Sequence, residues 1–242
     1  MKALLVRVGI DSSKESGGWN APVDPVTYEF AYVPILEQEE VIPEYKRTYE
    51  QFKAICKKLG NPLPPKFMNN NTHAHLDPDF SNLTYGDVGK RGKRVWELEE
   101  DDIVAFYAGL RSTEPERNLI YALIGLYVVN KIIPAKLISE KDWDKNAHTR
   151  KKPDETDVIV FAKSGLSGRL ERCIPIGEYR SKAYRVTCGL LGEWGGLCVK
   201  NGFIQRSGTL PWFCNPEKFY KWFRNQNNNR LVECNNPLAT GD

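Results

Sequence analysis

The chain predicts an α+β fold in one compact domain, with a mixed, largely antiparallel and partly barrel-like sheet flanked by a few helices. Three features carry that expectation. Two apolar runs in the middle, 102–110 and 119–129, have the Ile, Val, Tyr and Phe content of buried strands. The polar connection from Arg111 to Asn118 makes them an antiparallel pair. Segments near 49–59 and 215–224 instead place apolar residues at helical spacing. No internal repeat or long linker divides the 242 residues, so a single unit over 1–242 is expected.

Taken in order, Lys2 to Ile10 reads as a first strand interrupted by Arg7. It ends in Asp11 and a loop through Gly17, Gly18, Trp19 and Asn20, which presents side chains to a ligand or is a plain turn. Thr27 to Pro34 is a second strand candidate. Tyr49 to Leu59 is a packing helix, with Phe52, Ile55, Cys56 and Leu59 on one face and Gly60 at its end. The prolines at 62, 64 and 65 then deliver the chain into a polar segment, 73–87. The basic run 89–94 reads as a solvated loop, with phosphate contact as the competing reading. Glycines at 109 and 125 mark close backbone approach or a bend toward a barrel.

Further along, 135–146 looks like a short helix and 145–156 like a polar, basic linker containing His148. Thr156 to Phe161 is a buried-type strand entering two Ser-Gly turns. Lys163, Ser164, Ser167 and Arg169 there would make an anion cradle of backbone N–H groups and charge. The spacing is not that of a nucleophile elbow, which disfavours a serine hydrolase. Short strands are expected at 174–176 and 183–188, and a glycine-rich loop at 192–196. Asn215-Pro216 has the signature of a helix start, and Phe219, Trp222 and Phe223 give that helix its apolar face. The asparagine-rich residues beyond Arg224 are expected to fray.

Composition narrows the function classes. The 41% hydrophobic and 27% charged content is ordinary for a globular protein. A formal charge of +3 demands no polyanion, so any basic footprint must be local. None of the six cysteines forms a C-x-x-C pair, which argues against a thiolate zinc site. No apolar run approaches the ~20 residues of a membrane span, and the start is strand-like rather than leader-like. A cytoplasmic protein with reduced thiols is the expectation. The Rossmann and P-loop glycine patterns are both absent.

The chemistry is expected in the polar segment. His73, His75, Asp77, Asp79 and Asp87 gather there with Tyr85 on an irregular stretch holding Pro78 and Gly86. His75, Asp77 and Asp79 would hold Mg²⁺ or Mn²⁺ if a metal is used. The His73–His75 spacing matches no established zinc pattern. Without metal, an Asp would act as base with His75 as its acid–base partner. Structural Asx turns at Asp77 and Asp79 remain the alternative.

Leu4 to Asp11, the loop Gly18 to Asp24, His75 to Phe80 and Thr84 to Asp87 together resemble the nucleotide-modification-associated domains, third family of that series. The resemblance extends through Ser164 to Leu170 and the Trp222 helix. It implies an enzyme making modified bases in nucleic acid or acting on nucleotides, its reaction unassigned. A more local resemblance, over 96–130 and extending to a possible subregion 96–200, is to PUA-like base-binding barrels. There Trp96, Tyr107 and Trp194 would offer stacking faces, and the protein would be a non-catalytic reader. A metal-dependent nuclease or hydrolase is the further alternative. On the enzyme reading, Asp11, His75, Asp77 and Asp79 line the catalytic site. Arg7, Asn20, Tyr85, Asp87, Arg111, Lys163, Ser164, Ser167 and Arg169 would hold substrate or phosphate. The expected partner is a nucleotide or nucleic acid, with no membrane; the oligomeric state is open.

Overall fold

Strand β6 (Ile103–Ser112) explains the architecture, because both of its faces are covered. Val104, Phe106, Ala108 and Leu110 enter one apolar cluster, and Ile103, Ala105 and Tyr107 enter another on the opposite side. A strand buried on both faces reads as a continuous apolar run rather than an alternating one, which is why this stretch was legible. β1 (Ala3–Arg7) behaves in the same way, sending Leu4 and Val6 to the first cluster and Ala3 and Leu5 to the second.

The computed structural model describes residues 1–13, 18–116, 118–205, 208, 210–226 and 230–236. Ser16 and Gly17 of the first loop, Arg117 and asparagines 227–229 lie outside them. The remaining strands are β2 (Pro22–Val23), β3 (Ile35–Leu36), β4 (Ala74–His75), β5 (Thr84–Asp87), β7 (Leu119–Pro134), β8 (Val158–Ala162), β9 (Gly168–Pro175), β10 (Gly177–Arg180), β11 (Ala183–Val186) and β12 (Leu231–Val232). The helices are α1 (Glu50–Lys58), α2 (Gly89–Val95), α3 (Cys188–Trp194) and α4 (Pro216–Arg224).

Eight strands form one mixed sheet in a single α+β domain, ordered β1-β6-β7-β8-β5, with β2 on β6, β9 on β7 and β12 on β9. β1 and β2 run parallel to β6; β6–β7, β7–β8, β7–β9, β5–β8 and β9–β12 are antiparallel. Among the described residues the order stays open, so no barrel closes. β7 is long enough to serve two partners, pairing β9 through Ala122–Leu126 and β8 through Val129–Pro134. α1 covers the first cluster with Phe52 and Cys56, and α3 and α4 cover the second with Trp194, Phe219 and Phe223. Asn215 caps α4 by accepting from the Lys218 N–H at 2.9 Å. No helix of the described residues is long and apolar enough to cross a membrane.

Several local expectations change. Tyr28–Val33 is no strand, making only the bridge Val23–Phe30, although Phe30 to Val33 are buried. The segment 135–146 forms two 3-10 turns, 135–137 and 140–145, in place of one helix. The basic run 89–94 is helical, with Gly92 against the Asp87 carbonyl, where a Cβ would sit 2.8 Å away. Most consequentially, the polar linker is no linker. Residues 146–151 are all buried, with Asn146, Thr149 and Arg150 at 1–2% exposure.

Candidate functional site

A cavity of about 370 Å³ opens on the first face of the sheet, beside the end of β1. Gly9, at φ +76°, turns the chain there, so Arg7 and Asp11 reach the cavity wall from either side of it. The opposite wall comes from β4 (His75), from Asp77 two residues beyond it, and from β5 (Tyr85–Asp87). His148 and Lys151 arrive from the buried irregular segment, and Glu37 from the end of β3.

His75, Asp77 and His148 form the centre. One ligand atom from each lies within 4.8 Å of the other two. The Asp77 carboxylate is fixed through Oδ1, which accepts from Gly86 N at 2.8 Å and from Asn146 Nδ2 at 2.9 Å. Its Oδ2 stands 3.7 Å from His148 Nε2. Each histidine is held from behind by a carboxylate: His75 Nδ1 lies 2.6 Å from Glu37 Oε2, and His148 Nδ1 lies 2.8 Å from Asp157 Oδ1. An ionised carboxylate can only accept, so each Nδ1 donates to its carboxylate and Nε2 is the ring nitrogen left for another partner. Asp157 is itself held by the Asp154 N–H at 2.7 Å.

Burial pushes Asp77 up to about 7, against the pull of His148 and the two hydrogen bonds. Glu37 goes the other way. Burial opposes its charge, but the His75 hydrogen bond, the His75 charge and Lys151 hold it down at about 2. Two neighbouring carboxylates thus differ because one has a cationic partner close by and the other is mainly desolvated.

The packing around His148 has a strict requirement. A Cβ on Gly86 would come within 2.4 Å of His148 Cδ2 and 2.8 Å of Asn146 Oδ1. Only glycine at 86 lets β5 run close enough to this segment for both Asp77 and His148 to face the cavity.

The expected site residues separate into groups. Arg7, Asp11, His75, Asp77, Tyr85 and Asp87 line one cavity. Arg7 and Asp11 pair at 2.9 Å, and Arg7 also donates to the Gln205 carbonyl. Asp87 is engaged by the Tyr85 hydroxyl and by Arg91 Nε at 2.8 Å. Asp79 faces away, into a buried knot. It accepts from Arg150 at 2.6 Å and from Asn82 and Asn235, with its neighbours Ser81 and Asn82 donating backbone N–H groups. Asn20 and Arg111 line a separate pocket with Trp19 and Asn61, and Asn20 donates to the Gly109 carbonyl at 2.8 Å. The Ser-Gly turns go elsewhere. Lys163 pairs with Glu100 and Asp101, Ser164 donates to Glu233, Ser167 donates to Val128 O, and buried Arg169 lies 3.8 Å over the Phe30 ring. His73 is not part of the cavity wall either.

Of the aromatic stacking candidates, Tyr107 and Trp194 are buried. The Tyr107 hydroxyl donates to Ile204 O, and Trp194 sits among Phe213, Phe219 and Trp222. Trp96 is exposed. Sequence reasoning missed His148, Glu37, Asn146, Asp157 and Lys151, and took in Arg91 only through the basic run 89–94, where phosphate contact was the competing reading. His148 was the third histidine of a chain with three, a signal obscured by the lysines and arginine around it.

The family model for nucleotide modification associated domain 3 matches residues 2–215. The chain belongs to that family. No curated protein and no solved structure matches it.

Proposed function

We propose that the protein is a metal-dependent enzyme that modifies a nucleotide, or a base or sugar within nucleic acid, and that its reaction takes place at His75, Asp77 and His148. The observation that carries this reading is the pair of carboxylate-backed histidines converging on one buried carboxylate. Histidines that bind metal usually donate their second ring N–H to a carboxylate or carbonyl, which fixes the tautomer and raises the basicity of the ligating nitrogen. Two such pairs meeting a third ligand is an arrangement that general acid–base catalysis does not require.

The donor set says which ion. Two imidazole nitrogens and one carboxylate oxygen suit zinc, iron or a neighbouring first-row ion better than Mg²⁺, which prefers oxygen. Three protein ligands leave positions for water or substrate. Charge supports a cation as well, since five carboxylates and three cationic side chains line the cavity. A bound divalent ion would offset that excess and let a phosphate or base oxygen approach. Arg7, Arg91 and Lys151, each already held by a carboxylate, would then orient the substrate.

With the ion bound, the centre would polarise a substrate oxygen or activate water. His75 and His148 would serve as neutral ligands, and Glu37 and Asp157 as their positioning residues. The family assignment, to modification, favours an altered base or sugar over strand cleavage; hydrolysis at the same centre is the second reading. The test is turnover of nucleotides and of base-containing oligonucleotides followed by mass spectrometry, with Zn²⁺, Fe²⁺ or Mn²⁺ and with EDTA. A mass change that needs a metal and vanishes in Asp77→Ala and His148→Ala supports the reading. Full activity in EDTA, or in folded Asp77→Ala, overturns it.

A further inference from the structure

Trp96 has an exposed ring, at 52% exposure, in a protein that buries most of its large aromatics. It follows the C-terminal end of α2 and forms one wall of a second groove, of about 350 Å³, with Gly92, Pro134 and Val158 as its other apolar surfaces. Lys93 and Lys136 stand exposed at the rim. The groove also contains Glu155, and Asp157 contributes to its floor.

Two connections tie this groove to the cavity. Asp157 lines the groove while its Oδ1 holds His148 Nδ1, so the groove lies behind the centre. α2 separates the two, with Arg91 lining the cavity and Gly92, Lys93 and the following Trp96 lining the groove. Arg91 and Trp96 are five residues apart, so at about 3.6 residues per turn their side chains leave α2 on different sides.

We propose that this groove is a nucleic-acid subsite. A single-stranded segment next to the reacting nucleotide stacks a base on Trp96 and places its phosphates against Lys93 and Lys136. A flat aromatic face beside lysines is the chemistry of single-strand platforms, where stacking is tolerant of sequence and cations follow the backbone. Glu155 can accept from the exocyclic amino group of a stacked base. The substrate is then a strand, not a free mononucleotide. This rests on the reading of the cavity as the reaction site, and the experiment separates the two.

The experiment is fluorescence anisotropy of an end-labelled, mixed-sequence single strand of about twelve nucleotides, within the site sizes such platforms use. It uses the full-length, metal-loaded protein as wild type, Trp96→Ala, Trp96→Phe and Lys93→Gln/Lys136→Gln. Metal content is measured in parallel. The expected result is a loss of affinity of roughly five- to a hundredfold in Trp96→Ala, the range that removing one stacked base gives. Trp96→Phe should stay near wild type. The lysine double variant should show a salt dependence shallower by roughly 1.4 units of slope, about 0.7 for each lost phosphate contact. Every variant should keep its metal. Wild-type affinity in Trp96→Ala overturns the subsite, as does tighter binding of the matching duplex than of the strand. A wild-type protein that takes up no metal overturns the cavity reading instead, whatever the oligonucleotide does.

Discussion

Asp77 is the residue on which the site turns. It has burial, two hydrogen bonds and a histidine 3.7 Å away, and burial raises its carboxyl to about 7. An acid with a raised native pKa binds more protons folded than unfolded. Its favourable contribution is therefore present below the unfolded value and is lost as pH rises toward 7. Over about three pKa units that amounts to roughly 4 kcal/mol for the metal-free protein. Glu37, held at about 2, acts in the opposite sense, but its contribution is lost only as pH falls below the ordinary carboxylate range. Metal binding requires the Asp77 proton to leave, so apparent affinity should rise with pH up to about 7, by at most tenfold per unit for one proton. Melting curves with EDTA and with excess metal at pH 5.5 and 7.5 check this. The gap between the two curves should widen at the higher pH, and Asp77→Asn should reduce the widening, leaving the share due to the two histidine ligands. An equal gap at both pH values would show that Asp77 is not a ligand.

At the scale of elements, the site is made where β5 passes the segment 146–151, and Gly86 sets that distance. Ala at 86 would push directly into the His148 ring, and the ring has Asp157 behind it, so it cannot retreat without losing that hydrogen bond. Gly86→Ala should cost on the order of 1–3 kcal/mol of stability, as overpacking does. It should also weaken metal affinity at least tenfold while Glu37 and His75 keep their contact. Calorimetry of unfolding and of metal binding reads both; unchanged affinity would remove His148 from the centre. This junction also marks the limit of what the sequence revealed. β6, β7, α1 and α4 were legible because each shows its burial as composition or periodicity. The segment 146–151 shows neither. Its buried polar side chains are Asn, His, Thr, Arg and Lys, with partners such as Asp79 and Glu37 far away in the chain and Asp157 nine residues beyond His148. Buried polar groups paired over long range look in a sequence like a solvated linker.

For the whole molecule, both faces of one mixed sheet are covered, and the cavity opens where β1 ends on the first of them. The local cluster 73–87 contributes two of the three residues of the centre, His75 and Asp77. Its third member is 71 residues beyond Asp77, and nothing in the spacing of the cluster pointed there. Asp79, two residues from Asp77, instead ties the loop to Arg150, a pair in which both side chains are buried and the loss of either would leave the other unpaired. Adjacency in sequence was a poor guide because the irregular chain between these aspartates sends them in opposite directions. The most direct test of the central claim is an anomalous scattering map from crystals grown with Zn²⁺ or Fe²⁺, collected at the absorption edge of that metal. The account predicts one dominant peak about 2.0–2.2 Å from a nitrogen of His75, a nitrogen of His148 and an Asp77 oxygen. No peak there, or a dominant peak at Asp79 or Asp11 without both histidines, would contradict it.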